Sequence, residues 1–134
     1  MDDTALWEAF HAQTLTHAEW NHEAHLRVAW LHVSRYALDE AHLRMRAGII
    51  RLNQKHGLVE TAERGYFETL TFAWLALVGA AQREVRAATS PELLVARPEL
   101  RDKERVLRHY SRDLLRTVRA RAVLVPPDLE PLPE

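Results

Sequence analysis

The chain contains no cysteine. Disulfides, thiolate nucleophiles and Cys-ligated zinc or iron–sulfur centres are therefore excluded, and any metal would have to be held by histidine and carboxylate. Glycine is scarce, four residues in 134 and none clustered, so no Gly-rich loop cradles phosphate, and no serine sits in a nucleophile elbow. The longest run without charge, Thr69 to Gln82, falls short of the roughly 20 apolar residues a membrane-spanning helix needs, so it reads as a buried helix. No membrane partner is expected. The start, Met1-Asp2-Asp3-Thr4, lacks the basic opening and apolar core of a secretory signal, which together with the missing cysteines points to the cytoplasm. A formal net charge of −1 provides no general attraction for nucleic acid. Residues 97–121 carry nine Lys/Arg against four acids, but without interleaved aromatics they read as a solvated, salt-bridged face.

What is present is ordinary for a globular domain: 47% hydrophobic and 28% charged residues, in a length that encloses one core. The pattern predicts an all-α bundle of about four main helices with short C-terminal ones, a single domain over residues 1–125, and an extended Pro-rich tail over 126–134. Leu6, Trp7 and Phe10 space a first helix over about Thr4 to Thr14. Asn21 caps a second from His22 to Tyr36, although Thr16-His17-Ala18-Glu19 also has the form of a capping box. Asp39 caps a third, which His56-Gly57 stops. Residues 58–65 form a loop, and Tyr66 to about Ala88 a central helix. Ser90-Pro91 starts a short helix through Leu93, Leu94 and Val95; Asp102 to Tyr110 makes another, and Ser111 or Thr117 caps short final pieces. The tail lies on the surface through Leu129 and Leu132.

The candidate site arises in the second helix. His22, His25, His32 and Tyr36 fall within roughly 80° of arc at 100° per residue, beside the apolar stripe of Leu26, Trp30 and Val33. Ring nitrogens aimed inward need partners. Glu68, the one charged side chain in the apolar part of the central helix, stands in its first turn and supplies a carboxylate to that stripe. His25 is expected to move the proton, His22 to contact ligand and Glu68 to orient an imidazole, while Trp30, Tyr36, Tyr66 and Trp74 line the pocket. Acid–base chemistry on a small polar substrate is the leading reading. No cofactor is required; a divalent metal on His22, His25 and Glu68 is the other option, although the His-x-x-His spacing is one residue short of a zincin motif. The alternative is a non-catalytic interaction module in which the His/Glu cluster is purely structural. Val28 and Leu31, on the arginine side of the second helix, would then support a homodimer. His11, His17, His42 and His109 have no matching carboxylate pattern and read as surface or satisfied-core groups.

Asn21-His22-x-x-His25-Leu26-Arg27-Val28-Ala29-Trp30, Leu52-Asn53 before His56-Gly57, Gly65-Tyr66-Phe67-Glu68-Thr69, and Tyr110-Ser111 together resemble a family of small uncharacterised bacterial all-helical proteins. The resemblance covers most of the chain. It implies functional roles for His22, His25, Tyr66, Glu68 and Thr69 but brings no assigned activity. Phe67 stands where that pattern usually has histidine, so a metal or proton-transfer site would be altered in this chain.

Overall fold

In the computed structural model, which describes residues 1–134, seven α-helices and two 3-10 turns follow one another without a strand. They are α1 (Asp3–Ala12), α2 (His22–Val33), α3 (Leu38–Lys55), α4 (Glu68–Val85) and α5 (Ser90–Ala96), then 3-10 turns at Pro98–Arg101 and Lys103–Arg108, then α6 (Arg112–Leu115) and α7 (Val118–Ala122). The expected all-α bundle of four main helices with short C-terminal ones is the architecture. No helix is long and apolar enough to cross a membrane.

Short polar side chains set most of the helix starts. Asp2, Asn21, Thr89, Ser111 and Thr117 each accept a hydrogen bond from an amide three residues on, which satisfies one of the free donors of a first turn. Two starts differ from expectation. Asp39 lies within the first turn of α3, whose cap, Ala37, has no side-chain bond. Ser90 is the first residue of α5 rather than its cap; Thr89 caps, and the Ser90 hydroxyl and amide instead donate to the Asp3 carboxylate. Arg27 joins that cluster through Asp3 and Ser90, so one knot ties α1, α2 and α5. The capping box Thr16–Glu19 forms reciprocally but encloses only a turn. α2 stops at Val33, short of Tyr36, and the 102–110 segment winds as a 3-10 turn rather than an α-helix. His56 closes α3, and Gly57 follows at φ +72°, a left-handed conformation open to glycine at no steric cost.

The main core gathers Leu6, Phe10, Leu26, Leu31, Leu52 and Leu75 with their neighbours from the first five helices. α2 and α4 form its most extensive pairing, with α3 against both. Val28 and Leu31, expected on an outer face, are fully buried. α2 has no free apolar side because α1, α3, α4 and α5 all pack on it. α1 closes tightly on α3, where a Cβ at Gly48 would stand 2.3 Å from the Phe10 ring.

A smaller cluster of Ala73, Val106, Tyr110, Ala120 and Val125 joins the C-terminal turns to α4. The tail is anchored there by polar contacts. Thr69 Oγ1–H donates to the Val123 carbonyl at 2.9 Å and accepts from the Val125 amide at 3.2 Å, while the Tyr110 hydroxyl donates to the Val125 carbonyl. Beyond residue 125, Leu132 packs on the smaller cluster, but Leu129 is exposed and held only through its backbone bond to His109. Val95 is likewise exposed, at 76%.

Candidate functional site

Two polar assemblies occupy the ground between α2, α3 and α4, and the sequence expectation had merged them into one. The first is built on Glu68. As the first residue of α4 it enters the protein at 6% exposure, where an unpartnered carboxylate would be strongly destabilising. It is partnered threefold. His42 Nε2–H donates to Oε1 at 2.6 Å, the Tyr66 hydroxyl donates to the same oxygen at 2.8 Å, and Arg46 donates to Oε2 at 3.0 Å. His42 and Arg46 lie one turn apart on α3, so the helix places both on the face that meets the start of α4. Burial, together with the adjacent Glu68 charge, pushes the Tyr66 hydroxyl well above the usual phenol range, so the phenol remains protonated and keeps donating.

The expected pairing of Glu68 with His22 and His25 is therefore corrected. Glu68 turns to α3, and those two histidines face a cavity whose walls do not include it. The metal option on His22, His25 and Glu68 loses its geometry with that pairing, and nowhere do three metal-binding side chains converge.

The second assembly is that cavity, about 670 Å³, a size typical of small-molecule sites. His22 and His25 from the first turn of α2 face it, joined by Trp74 of α4, Trp20 before α2, and Met45 and Ile49 of α3. The loop after α3 completes the wall through Leu58, Val59, Thr61 and Arg64, and His17, Asn53 and His56 add further polar groups. His22 Nε2–H donates to the Leu100 carbonyl at 3.0 Å, which leaves Nδ1 as an acceptor, and its ring meets Trp74 edge-on at 4.8 Å. His56 donates to the Leu15 carbonyl. His25 stacks on Trp20 with ring centroids 3.8 Å apart, and neither of its nitrogens has a protein partner. Enclosure by surrounding protein pulls the His25 imidazole down to about 3, reinforced by the neighbouring His22 and Lys103; His22 is lowered too, chiefly by burial. Both rings are neutral at pH 7, and a neutral imidazole offers one acceptor and one donor.

The other predicted residues lie elsewhere. Tyr66 and Trp74 line the cavity; His32, Tyr36, Trp30 and Thr69 do not. Ten residues of helix separate His22 from His32, about 15 Å along the axis, so one stripe on α2 serves two environments. His32 is sealed against α1, near Trp7, Phe10, His11 and Tyr36, with Nδ1–H on the Val28 carbonyl at 2.8 Å and Nε2 without a partner. Burial lowers it to about 4. Trp30 donates its indole N–H to Gln82 at 2.8 Å, and Thr69 holds the tail. The sequence reading set aside His42 and His17 and did not consider His56 for the site. The spacing His42-x-x-x-Arg46 was a signal for the first, since two cationic-capable groups one turn apart suit a single carboxylate; nothing local marked the other two.

Comparison of the chain with protein-family models, with curated proteins and with solved structures finds no match.

Proposed function

We propose that this chain is a small-molecule-binding protein whose ligand has a largely apolar, flat body and a hydrogen-bonding group that engages His25. The carrying observation is the unpartnered His25 imidazole, held against Trp20 in a 670 Å³ cavity. The ring is part-exposed and its nitrogens open to the cavity, so a ligand hydroxyl or amide can take the hydrogen bonds that the protein leaves unmade. Trp20, Trp74, Met45 and Ile49 favour an apolar or aromatic body. Acid–base turnover, the leading sequence reading, draws less support from this site: an imidazole titrating near 3 is protonated in only about one molecule in ten thousand at pH 7, a poor match to proton transfer there. Three of the four segments that carry the resemblance to the small bacterial family, around His22–His25, Asn53–Gly57 and Gly65–Phe67, contribute to this wall, which supports assigning that family's site to it. Histidine at position 67 would add another imidazole to it. A cytoplasmic setting belongs to the same proposal.

Calorimetric titration with 2-naphthol and 2-methoxynaphthalene tests the reading, because the pair share a body and differ in the ability to donate. The native protein should prefer 2-naphthol about fivefold, the value of one net hydrogen bond. His25→Phe should erase the preference while retaining binding of the methyl ether. Absence of binding by either compound, or a preference that survives in H25F, overturns the proposal.

A further inference from the structure

The cavity wall carries four histidines and an arginine, and no aspartate or glutamate, in a chain with 19 acidic residues against 18 basic ones. We infer that the ligand is an amphiphilic anion, an aromatic or aliphatic carboxylate whose apolar body lies between Trp20 and Trp74 and whose charged end sits at the mouth beside Arg64. The inference rests on the binding role proposed for the cavity and adds the charge of its occupant.

The wall is graded from rim to interior. His17 and Arg64 are exposed, and the Arg64 guanidinium has no ion pair and no hydrogen-bond partner within the chain. Two acids stand close in sequence and neither lines the cavity: Glu63, next to Arg64, is exposed and forms no ion pair with it, and both oxygens of Glu60 accept from the Tyr66 amide, at 3.0–3.1 Å, while Glu60 lines a separate groove with Ala62 and Arg121. The interior, by contrast, holds neutral rings that contact apolar and aromatic surface. α4 begins at the cavity wall with Phe67, Leu70 and Thr71 lining it, and its start has no side-chain cap. The free amides of that first turn add positive potential, and the Glu68 charge beside them is answered by Arg46 at 3.0 Å. A carboxylate at this mouth pairs with the planar guanidinium of Arg64 through two parallel hydrogen bonds, an interaction that a neutral ligand leaves to solvent.

The probes are 2-naphthoate and 2-naphthol, titrated calorimetrically into the native chain and into Arg64→Gln at low and moderate ionic strength. Naphthoate should bind more tightly than naphthol in the native protein. R64Q should weaken naphthoate about fivefold, the scale of a solvent-accessible ion pair, and leave naphthol within about twofold; added salt should weaken naphthoate alone. Naphthoate binding no tighter than naphthol, or an R64Q effect equal for both probes, overturns the anionic assignment while binding of naphthol keeps the cavity as a ligand site. Failure of both probes to bind overturns the cavity reading and this inference with it.

Discussion

Tyr66 belongs to two polar regions built on opposite terms. Its hydroxyl donates to Glu68 in a closed cluster where the carboxylate also receives His42 and Arg46; its ring lines a cavity where His25 has no protein partner. A buried group whose hydrogen-bonding capacity is filled by the protein has nothing left for a ligand, and its energetic role is to hold elements together. A neutral imidazole facing open space contributes little to cohesion and keeps its capacity for something from outside. Titratable residue types alone do not separate these cases; the number of partners does.

The sharpest way to break the contrast is to remove the carboxylate. Glu68→Ala strands the His42 ring and the Tyr66 hydroxyl at the α3–α4 contact, and a loss of about 3 kcal/mol in unfolding free energy is expected, the range for breaking a buried polar pair. His25→Phe, tested by the same urea titration at pH 7.5, should change stability by less than about 1 kcal/mol, since it removes no protein–protein bond. Equal losses in the two variants would show that the cavity histidine is as structural as the carboxylate.

A second difference appears on acidification. His25 and His32 titrate near 3 and 4 in the folded protein, below the ordinary value of 6.5 that applies once the chain unfolds. Between those limits the unfolded chain binds more protons, so stability is intact above about pH 6.5, falls as pH drops through the window, and loses nothing more from these groups below about pH 3. By pH 5 each ring should cost about 2 kcal/mol. Asp3 acts lower on the scale: burial opposes its ionisation, but the Ser90 hydroxyl and amide and Arg27 hold its carboxyl below 3.8, so its contribution is lost only when pH falls through that still lower value. Urea midpoints from pH 7.5 to 5 should therefore decline in the native protein and decline about half as steeply in His25→Phe. A decline unchanged in that variant would assign the acid sensitivity to other groups.

Local chemistry was readable where it acts over a few residues. The Asn21 cap, the His56-Gly57 stop and the Ser111 and Thr117 caps are decided within one helical turn, and each stands as expected. Partner choice across the fold was not readable. Which imidazole meets Glu68 depends on how α3 lies against α4, and His42 lies 26 residues away in sequence. The stripe from His22 to Tyr36 was correctly seen as inward-facing through His32, but periodicity gives a direction around the helix and carries no information on what covers each turn along it. The cavity drew on the stripe's first turn, and α1 sealed His32. Ser90 was misassigned because its hydroxyl is recruited by Asp3, 87 residues away, a competitor that no local rule contains.

A further substitution, expected to leave ligand affinity almost unchanged, tests whether the two regions are mechanically separate. Thr69 follows Glu68 at the start of α4, is fully buried, and clips the chain at Val123 and Val125 without touching the cavity. Thr69→Val keeps the shape, removes the hydroxyl, and leaves the Val125 amide and the Val123 carbonyl short of a partner. The expected loss is about 1–2 kcal/mol. Amide exchange should quicken at Val125, with the amides of α2 following only the global change in stability, and 2-naphthol affinity should stay within about twofold. Near-separation is the physical expectation because the clip acts through the smaller cluster of Tyr110, Ala120 and Val125, while most of the cavity wall is drawn from α2, α3 and the flanking loops and shares with that cluster Phe67, Leu70 and Trp74 at the start of α4. A fall in 2-naphthol affinity larger than the stability loss accounts for would mean that the tail sets the position of α4 at the cavity, joining what the contrast between the two regions holds apart.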